Sequence, residues 1–487
     1  MKTFQKILLL SFVVLALSAC FNDQDDTFSP ASNTEIGDFI WKAMNAYYLY
    51  QGDVTDLADD RFANQTELNT YINTFNNPEA LFENLIYNRP TVDKYSWIVS
   101  DFEALEASFA GVNKTNGMAF GFFIDPDPSS NKAYGYVRYV TANTDAANKG
   151  ITRGTIFNTL NGTEITYTNN GGSNTIDSNS MNSLRQDSYE IGLATFDGNT
   201  VTATGNSISL TKEELTINPI HKVTTITNGT HKIGYVMYNS FTANFDNDLN
   251  NAFASLQTEN ITSLVLDLRY NSGGSILSAI TLSSLITGQF NNQVFSTEEW
   301  NNKLQPQFSA DELTNKFRNT TRTGAALNSL NLNKVYILTT GRSASASELV
   351  ISCLRPYIDV VQIGTTTEGK FQASITLYDS PNFSKTNINP GHKYAIQPLV
   401  FKSLNSVGFT DYSDGLSPNA NMTLAESYNN LGVLGNENEP LLAMALADIT
   451  GTGRFVQDQT RVIPSIDFKS HSLENTMFAD HKEYLFK

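Results

Sequence analysis

Three nearly uninterrupted apolar runs, 264–268 (LVLDL), 334–338 (KVYIL) and 360–363 (VVQI), constrain this chain more than any other feature. A strand buried on both faces has little room for polar alternation, so such runs belong inside a sheet covered on both sides. Helical patterns separate them. Residues 246–257 read as an amphipathic helix, and 276–286, 347–355 and 440–449 as apolar helices. Together with a strand over 232–237, this alternation predicts a layered α/β domain.

The chain ahead of that domain has a different texture. From Glu35 to about Tyr87, Ile36, Phe39, Ile40, Ala43, Met44 and Tyr47 recur at helical spacing, which predicts a small helical domain. Residues 93–110, with Trp97, Ile98 and Phe102, are expected to continue it. After Asn113, short β-like runs at 118–124, 135–140, 155–160 and 207–210 lie between Asn, Gly and Asp clusters. Here the apolar loop GMAFGFFI enters a strand. Further on, Ala146 to Ile151, Arg153 to Phe157 and Leu160-Asn161-Gly162 spell a helical turn, a glycine, a strand and an Asn-Gly turn. That order resembles the core of a PDZ domain, although any small β-domain with Asn-Gly hairpins is an alternative. The resemblance implies capture of extended peptides or free C-termini by strand addition.

At 487 residues the chain needs several cores. Its formal charge of -17 would repel nucleic acid, so no such partner is expected. Lys2 and Lys6 precede an apolar run at 7–17, which ends in Leu17-Ser18-Ala19-Cys20. This reads as a signal peptide over 1–19. The final four residues resemble the lipobox of bacterial lipoproteins, which implies lipidation at Cys20, membrane attachment through that lipid, and a place in the bacterial cell envelope on the outer membrane. Residues 20–33 carry Asp23, Asp25 and Asp26 and read as a flexible tether. The acidic patch resembles the surface-export signal of lipoproteins in Bacteroidetes-type bacteria. Cys353 is the other cysteine, expected as a small buried hydrophobe. His221, His231, His392, His471 and His481 are too irregularly spaced to suggest a metal site, so no metal or other cofactor is expected.

Three strand ends in the α/β domain carry candidate chemistry. Asp267 to Gly274 (DLRYNSGG) is a strand running into a Gly-Gly turn, whose backbone N–H groups could face a cavity and stabilise developing negative charge. Thr339 to Glu348 (TTGRSASASE) leads from a strand into a helix. A serine there can present its hydroxyl beside the free N–H groups of the helix start. Ser345 or Ser347 as an N-cap and Glu348 as a first-turn acid is the plainer reading. Glu368-Gly369-Lys370-Phe371-Gln372 follows the next strand. A lysine serves as a general base only where burial favours its neutral form; taken singly, Lys370 reads as a surface residue.

In combination, these segments resemble the C-terminal processing (tail-specific) peptidase family, most specifically over 264–274 and 334–370. The resemblance implies a multidomain α+β chain with an N-terminal helical region, a PDZ-like β domain and a crotonase/ClpP-like α/β core. It also implies a Ser-Lys dyad, with Ser345 the nucleophile and Lys370, 25 positions on, the base. The N–H of Ala346 and one from Gly273 or Gly274 would form the oxyanion hole. Family members often carry a glutamine four residues after the lysine. Here that position is Ser374, and Gln372 is the nearest glutamine. Gln372 or Ser374 is therefore expected to orient the lysine, while Glu368 could keep it charged.

The expected layout is a helical domain over 34–112, a PDZ-like domain over 113–213, a peptidase core over 214–455 and a tail over 456–487. The expected activity is hydrolysis of unstructured or C-terminally presented polypeptides through an acyl-enzyme. Alternatives are a catalytically silent ligand-binding lipoprotein on the same fold, or an esterase or amidase using the same dyad.

Overall fold

The computed structural model describes residues 29–170, 173–451, 463–466 and 475–479. The expected signal peptide, Cys20 and most of the expected tether lie outside the described residues.

Helix α1 (Asn33–Tyr47) begins with a reciprocal cap. The Glu35 N–H donates to Ser32 Oγ, and the Ser32 N–H donates to the Glu35 carboxylate at 2.8 Å. Its buried residues Ile36, Phe39, Ile40, Ala43, Met44 and Tyr47 follow the helical period and form one stripe. Helices α2 (Gln65–Ile72) and α3 (Pro78–Asn84) pack near it. All three share a hydrophobic cluster with the α/β core, so the N-terminal helices have no separate interior. The expectation of helix over 93–110 is corrected in part: Trp97–Val99 is strand β1, paired antiparallel with Ala395–Gln397. Trp, Ile and Val favour a half-buried pleated surface, and helix resumes at α4 (Phe102–Phe109).

A mainly antiparallel sheet follows, built from β2 (Met118–Ile124), β3 (Ala133–Val140), β4 (Ile156–Leu160), β5 (Ser188–Phe196) and β6 (Val201–Thr211), with helix α5 (Ser178–Arg185) against it. The strand order is β6-β5-β4-β3-β2. A helical turn at Asp145–Asn148 precedes β4, and Asn161 and Gly162, both at positive φ, follow it.

The next strands are β7 (Ile220–Asn228), β8 (His231–Tyr238), β9 (Ser263–Asp267), β12 (Lys334–Thr339) and β13 (Asp359–Gly364), in that spatial order. β7 runs antiparallel to β8, and the rest are parallel. Between them come α6 (Asp246–Thr258), β10 (Gly274–Ser275), α7 (Ile276–Thr287), β11 (Val294–Trp300) and α8 (Ala346–Leu354). Side chains two apart on a strand face the same side, and here each side has its own cover. Val335 and Ile337 of β12 join the cluster containing α7 and α8. Tyr336 and Leu338 join the cluster containing α9 (Pro440–Thr450). Burial of each such aliphatic side chain contributes about 1.5–3 kcal/mol. Cys353, on α8, is fully buried, which pushes its thiol well above the usual range.

β14 (Gln372–Ser374) and β15 (Leu399–Asn405) belong to a second sheet with β10 and β11. The expected C-terminal tail contributes to both β-layers. β16 (Ser465–Ile466) pairs with β2, and β17 (Met477–Phe478) lies between β10 and β14. The chain is thus a mixed α/β, multidomain protein, in which the loops after β9, β12 and β13 meet at the carboxyl ends of parallel strands. That edge is where open α/β sheets bind ligands.

Candidate active site

The loop after β9 carries Arg269 to Gly274, the loop after β12 carries Thr340 to Ser345, and the loop after β13 carries Thr365 to Lys370. Asn271 joins the first two. Its carbonyl accepts from the Ala344 N–H at 3.1 Å and from Ser347 Oγ at 2.8 Å, while its Nδ2 donates to the Tyr238 carbonyl at 2.8 Å.

The three serines of SASAS have different partners. Ser343 Oγ donates to the Leu268 carbonyl and Ser347 Oγ to the Asn271 carbonyl, each at 2.8 Å. Ser345 Oγ is buried and has no hydrogen-bond partner among the described residues. Ser345 also sits at φ 66°, ψ -116°, a conformation that costs a non-glycine residue about 1–3 kcal/mol. The flanking hydroxyls hold the turn in place, and the middle one is left without such a tie.

Glu348 supplies what local reading misses. Its carboxylate accepts from the Ser345 N–H at 2.7 Å, the Lys370 N–H at 2.8 Å, the Gly369 N–H at 2.7 Å and the Thr367 hydroxyl at 2.5 Å. Far more than a first-turn acid, it joins the serine turn to the lysine loop. Burial pushes its carboxyl up to about 7, against these four donors, which pull it down.

Glu348→Gln is expected to destabilise the protein by about 2–4 kcal/mol, because an amide cannot accept from both sets of donors. A pH signature separates this from generic damage. With a folded-state value of about 7 and an ordinary value of 4.5, the native state binds the extra proton between those pH values. Wild-type stability therefore falls as pH rises through that window, by up to about 1.4 kcal/mol per pH unit. The variant lacks this contribution. Melting temperatures of both proteins from pH 4 to 8 should converge as pH rises, and a constant gap would contradict the assignment.

Lys370 is 1% exposed. Its Nζ donates to the Asn475 carbonyl at 2.6 Å and lies 5.0 Å from the centre of the Tyr95 ring. The surface reading of this lysine is corrected by the loop folding inward under Glu348. Gln372 Nε2 donates to Tyr50 OH at 3.1 Å, and Ser374 Oγ donates to the Met477 carbonyl at 3.2 Å. Each of these two bonds is made to a residue other than the lysine. Glu368 Oε1 accepts from Tyr95 OH at 3.3 Å.

The glycine turn also resolves into two roles. The Gly273 N–H donates to Asn271 Oδ1 at 3.0 Å, so it is committed within its own loop. The Gly274 N–H donates to the Thr476 carbonyl at 2.6 Å, and Ala346 opens α8, where N–H groups have no acceptor within the helix. Both glycines have φ above +100°. A Cβ on Gly273 would lie 2.6 Å from Ser345 Cβ and 2.4 Å from the Thr476 oxygen. Only glycine lets this backbone approach the serine so closely.

Comparison with known proteins points to one group. Residues 232–387 match the profile of peptidase family S41, and residues 35–97 match the peptidase S41 N-terminal domain. A carboxyl-terminal-processing protease of Picosynechococcus sp. (strain ATCC 27264 / PCC 7002 / PR-6) is 22% identical over 232 residues, covering 44% of this chain and 51% of the relative. The chain thus spans about half the length of that curated relative. A solved structure assigned to the S41 proteases, from Bacteroides fragilis NCTC 9343, superposes with a TM-score of 0.65 at 24% identity, covering 88% of this chain and 99% of that one. The photosystem II D1 C-terminal processing protease gives a TM-score of 0.49 at 19% identity, covering 85% of this chain and 100% of that one. By these two segments, 35–97 and 232–387, the chain carries peptidase S41 family domains.

Proposed function

We propose that the protein is a serine endopeptidase that hydrolyses unstructured or C-terminally presented polypeptides, as the name of its carboxyl-terminal-processing relative suggests. One observation carries this reading: the buried, unpartnered Ser345 hydroxyl on a strained turn whose N–H shares a carboxylate with the backbone of the Lys370 loop. In the proposed mechanism, neutral Lys370 takes the proton of Ser345 Oγ as that oxygen attacks the scissile carbonyl. The Gly274 and Ala346 N–H groups stabilise the resulting oxyanion. The ammonium returns its proton to the leaving amine, and water, deprotonated by Lys370 in turn, releases the acyl group. Glu348 acts through the loops as a positioning residue. Gln372 and Ser374 remain candidates for orienting the lysine in the reacting complex.

The antiparallel sheet β2–β6 with α5 is read as a PDZ-like peptide-binding unit, and the parallel core as crotonase/ClpP-like. The Arg153 guanidinium connects the two. It donates to Tyr270 OH at 2.6 Å, to the Glu426 carboxylate at 2.7 Å, and to the Leu431 and Gly432 carbonyls. Lipid attachment at Cys20 in the cell envelope is part of the same proposal and rests on the N-terminal sequence.

The test is hydrolysis of a denatured protein by wild type and Ser345→Ala. Cleavage by wild type, a fall of about 10³-fold or more in the variant, and covalent labelling of wild type alone by an acylating serine reagent are expected. Equal, negligible cleavage by both proteins across substrates would sink the peptidase reading.

A further inference from the structure

The C-terminal segment of this chain occupies two places where a polypeptide would be expected to bind. At the first, β16 lies antiparallel along β2, with Ser465 opposite Phe123 and Ile466 opposite Phe122, and the Ile124 N–H donates to the Pro464 carbonyl at 3.2 Å. β2 ends the order β6-β5-β4-β3-β2, so β16 is a strand added to a sheet edge. Ile466 is buried in the apolar cluster that includes Met118, Phe122 and Leu184. This is peptide capture by strand addition, with one side chain in a pocket.

At the second, β17 runs parallel to both β10 and β14. Its flanking backbone meets the proposed catalytic groups. The Asn475 carbonyl accepts from Lys370 Nζ, and the Thr476 carbonyl accepts from the Gly274 N–H. The Ala479 N–H donates to the Ser374 carbonyl at 3.0 Å, and Met477 is fully buried. The Thr476 oxygen and Ser345 approach the same glycine. A cavity of about 430 Å³ reaches the second place, where Gly273, Gly274 and Thr476 line it, and its far wall includes Phe120, Met181 and Leu184, which belong to or pack against the cluster that holds Ile466.

We propose that residues 463–466 and 475–479 act as an intramolecular ligand that occupies the polypeptide path, and that an extended substrate must displace them to reach Ser345. The contacts are mostly backbone hydrogen bonds and strand pairings, so the path accepts the extended backbone of many polypeptides. Among the described residues Ser345 Oγ has no partner, while Lys370 Nζ engages the Asn475 carbonyl, so the occupied site is held in a non-reacting arrangement. The identification of the path rests on the peptidase reading, but the occupancy itself can be tested without catalysis.

The test uses full-length Ser345→Ala protein, which cannot acylate under the proposed mechanism. The probe is a fluorescent, end-blocked peptide with the sequence of residues 475–479, followed by anisotropy. Replacing 475–479 in the protein by Gly-Ser-Gly-Ser-Gly is expected to tighten binding by about tenfold or more, because the competing internal strand is gone. Should that replacement not fold, Phe478→Ser serves as the second variant. It removes the ring that packs 4.3 Å from Phe109 and keeps buried Met477. A smaller gain in affinity is expected. Equal affinities within twofold in the folded proteins, or no binding in any of them, would overturn the proposal. Failure of wild type to hydrolyse any polypeptide, with the gain in peptide binding intact, would instead remove the peptidase reading alone.

Discussion

Lys370→Met is expected to lower kcat/KM for an unstructured polypeptide by about a thousandfold while leaving the fold intact. Lys370 is 1% exposed and lies against the Tyr95 ring, so its methylene stem already behaves as a buried apolar group. Methionine keeps much of that volume, removes a charge from a buried position, and cannot accept a proton. Activity and stability should therefore separate: a large kinetic loss with a melting temperature close to wild type. Lys370→Arg should fail as well, because a guanidinium stays charged and has no lone pair to offer. A Lys370→Met enzyme that keeps more than about a tenth of wild-type activity would show that some other group takes the serine proton.

The readable and unreadable parts of this chain differ for physical reasons. β9, β12 and β13 were legible because burial on both faces leaves almost no polar residue in them. α7 and α8 were legible because they are long and apolar. The motif positions followed, since each lies one loop beyond such a strand. Strand β1 was not legible: its three residues are short of any period and owe their conformation to pairing with Ala395–Gln397. β16 and β17 are two residues each, held by edges distant in sequence, so nothing local marks them. The Ser345-x-x-Glu348 spacing was visible and takes up the arrangement of a capping box, but the Ser345 hydroxyl makes no well-formed hydrogen bond in it. The glutamate accepts from the serine N–H, its other bonds reach a loop some 20 residues away, and the serine hydroxyl is left out. The preference for Ser345 thus gains a basis independent of its interval to Lys370: its neighbours' hydroxyls are committed to backbone carbonyls and its own is not.

Arg269→Leu is expected to destabilise the protein by about 3–5 kcal/mol, lowering the melting temperature by on the order of 10 °C. Arg269 is fully buried and holds three acids: Asp267 at 2.8 Å, Glu439 at 2.6 Å and Glu426 at 3.1 Å. A leucine fills part of the space and leaves these carboxylates facing one another. Asp267 would keep Tyr235 OH at 2.6 Å, and Glu439 would keep the Leu442 N–H at 2.9 Å. Those donors cannot replace a guanidinium fork, so removing the cation strands charge in the interior. Glu426 makes the effect dependent on pH. Although burial raises it, Arg153 and Arg269 bring its carboxyl down from an ordinary 4.5 to about 2. Its stabilising contribution is therefore complete above pH 4.5 and is lost as pH falls towards 2. With Arg269 gone, that acid-side contribution shrinks, and the variant should unfold at a higher pH than wild type. The consequence extends to the site, because the Arg269 carbonyl accepts from the Thr340 hydroxyl and the same loop continues to Asn271, Gly273 and Gly274. Partial loosening should lower activity before the protein melts, as the Gly274 N–H loses its aim. Thermal and acid unfolding within about 1 kcal/mol of wild type would mean that the three acids take up protons or rearrange at little cost, and that the arginine does not anchor this loop.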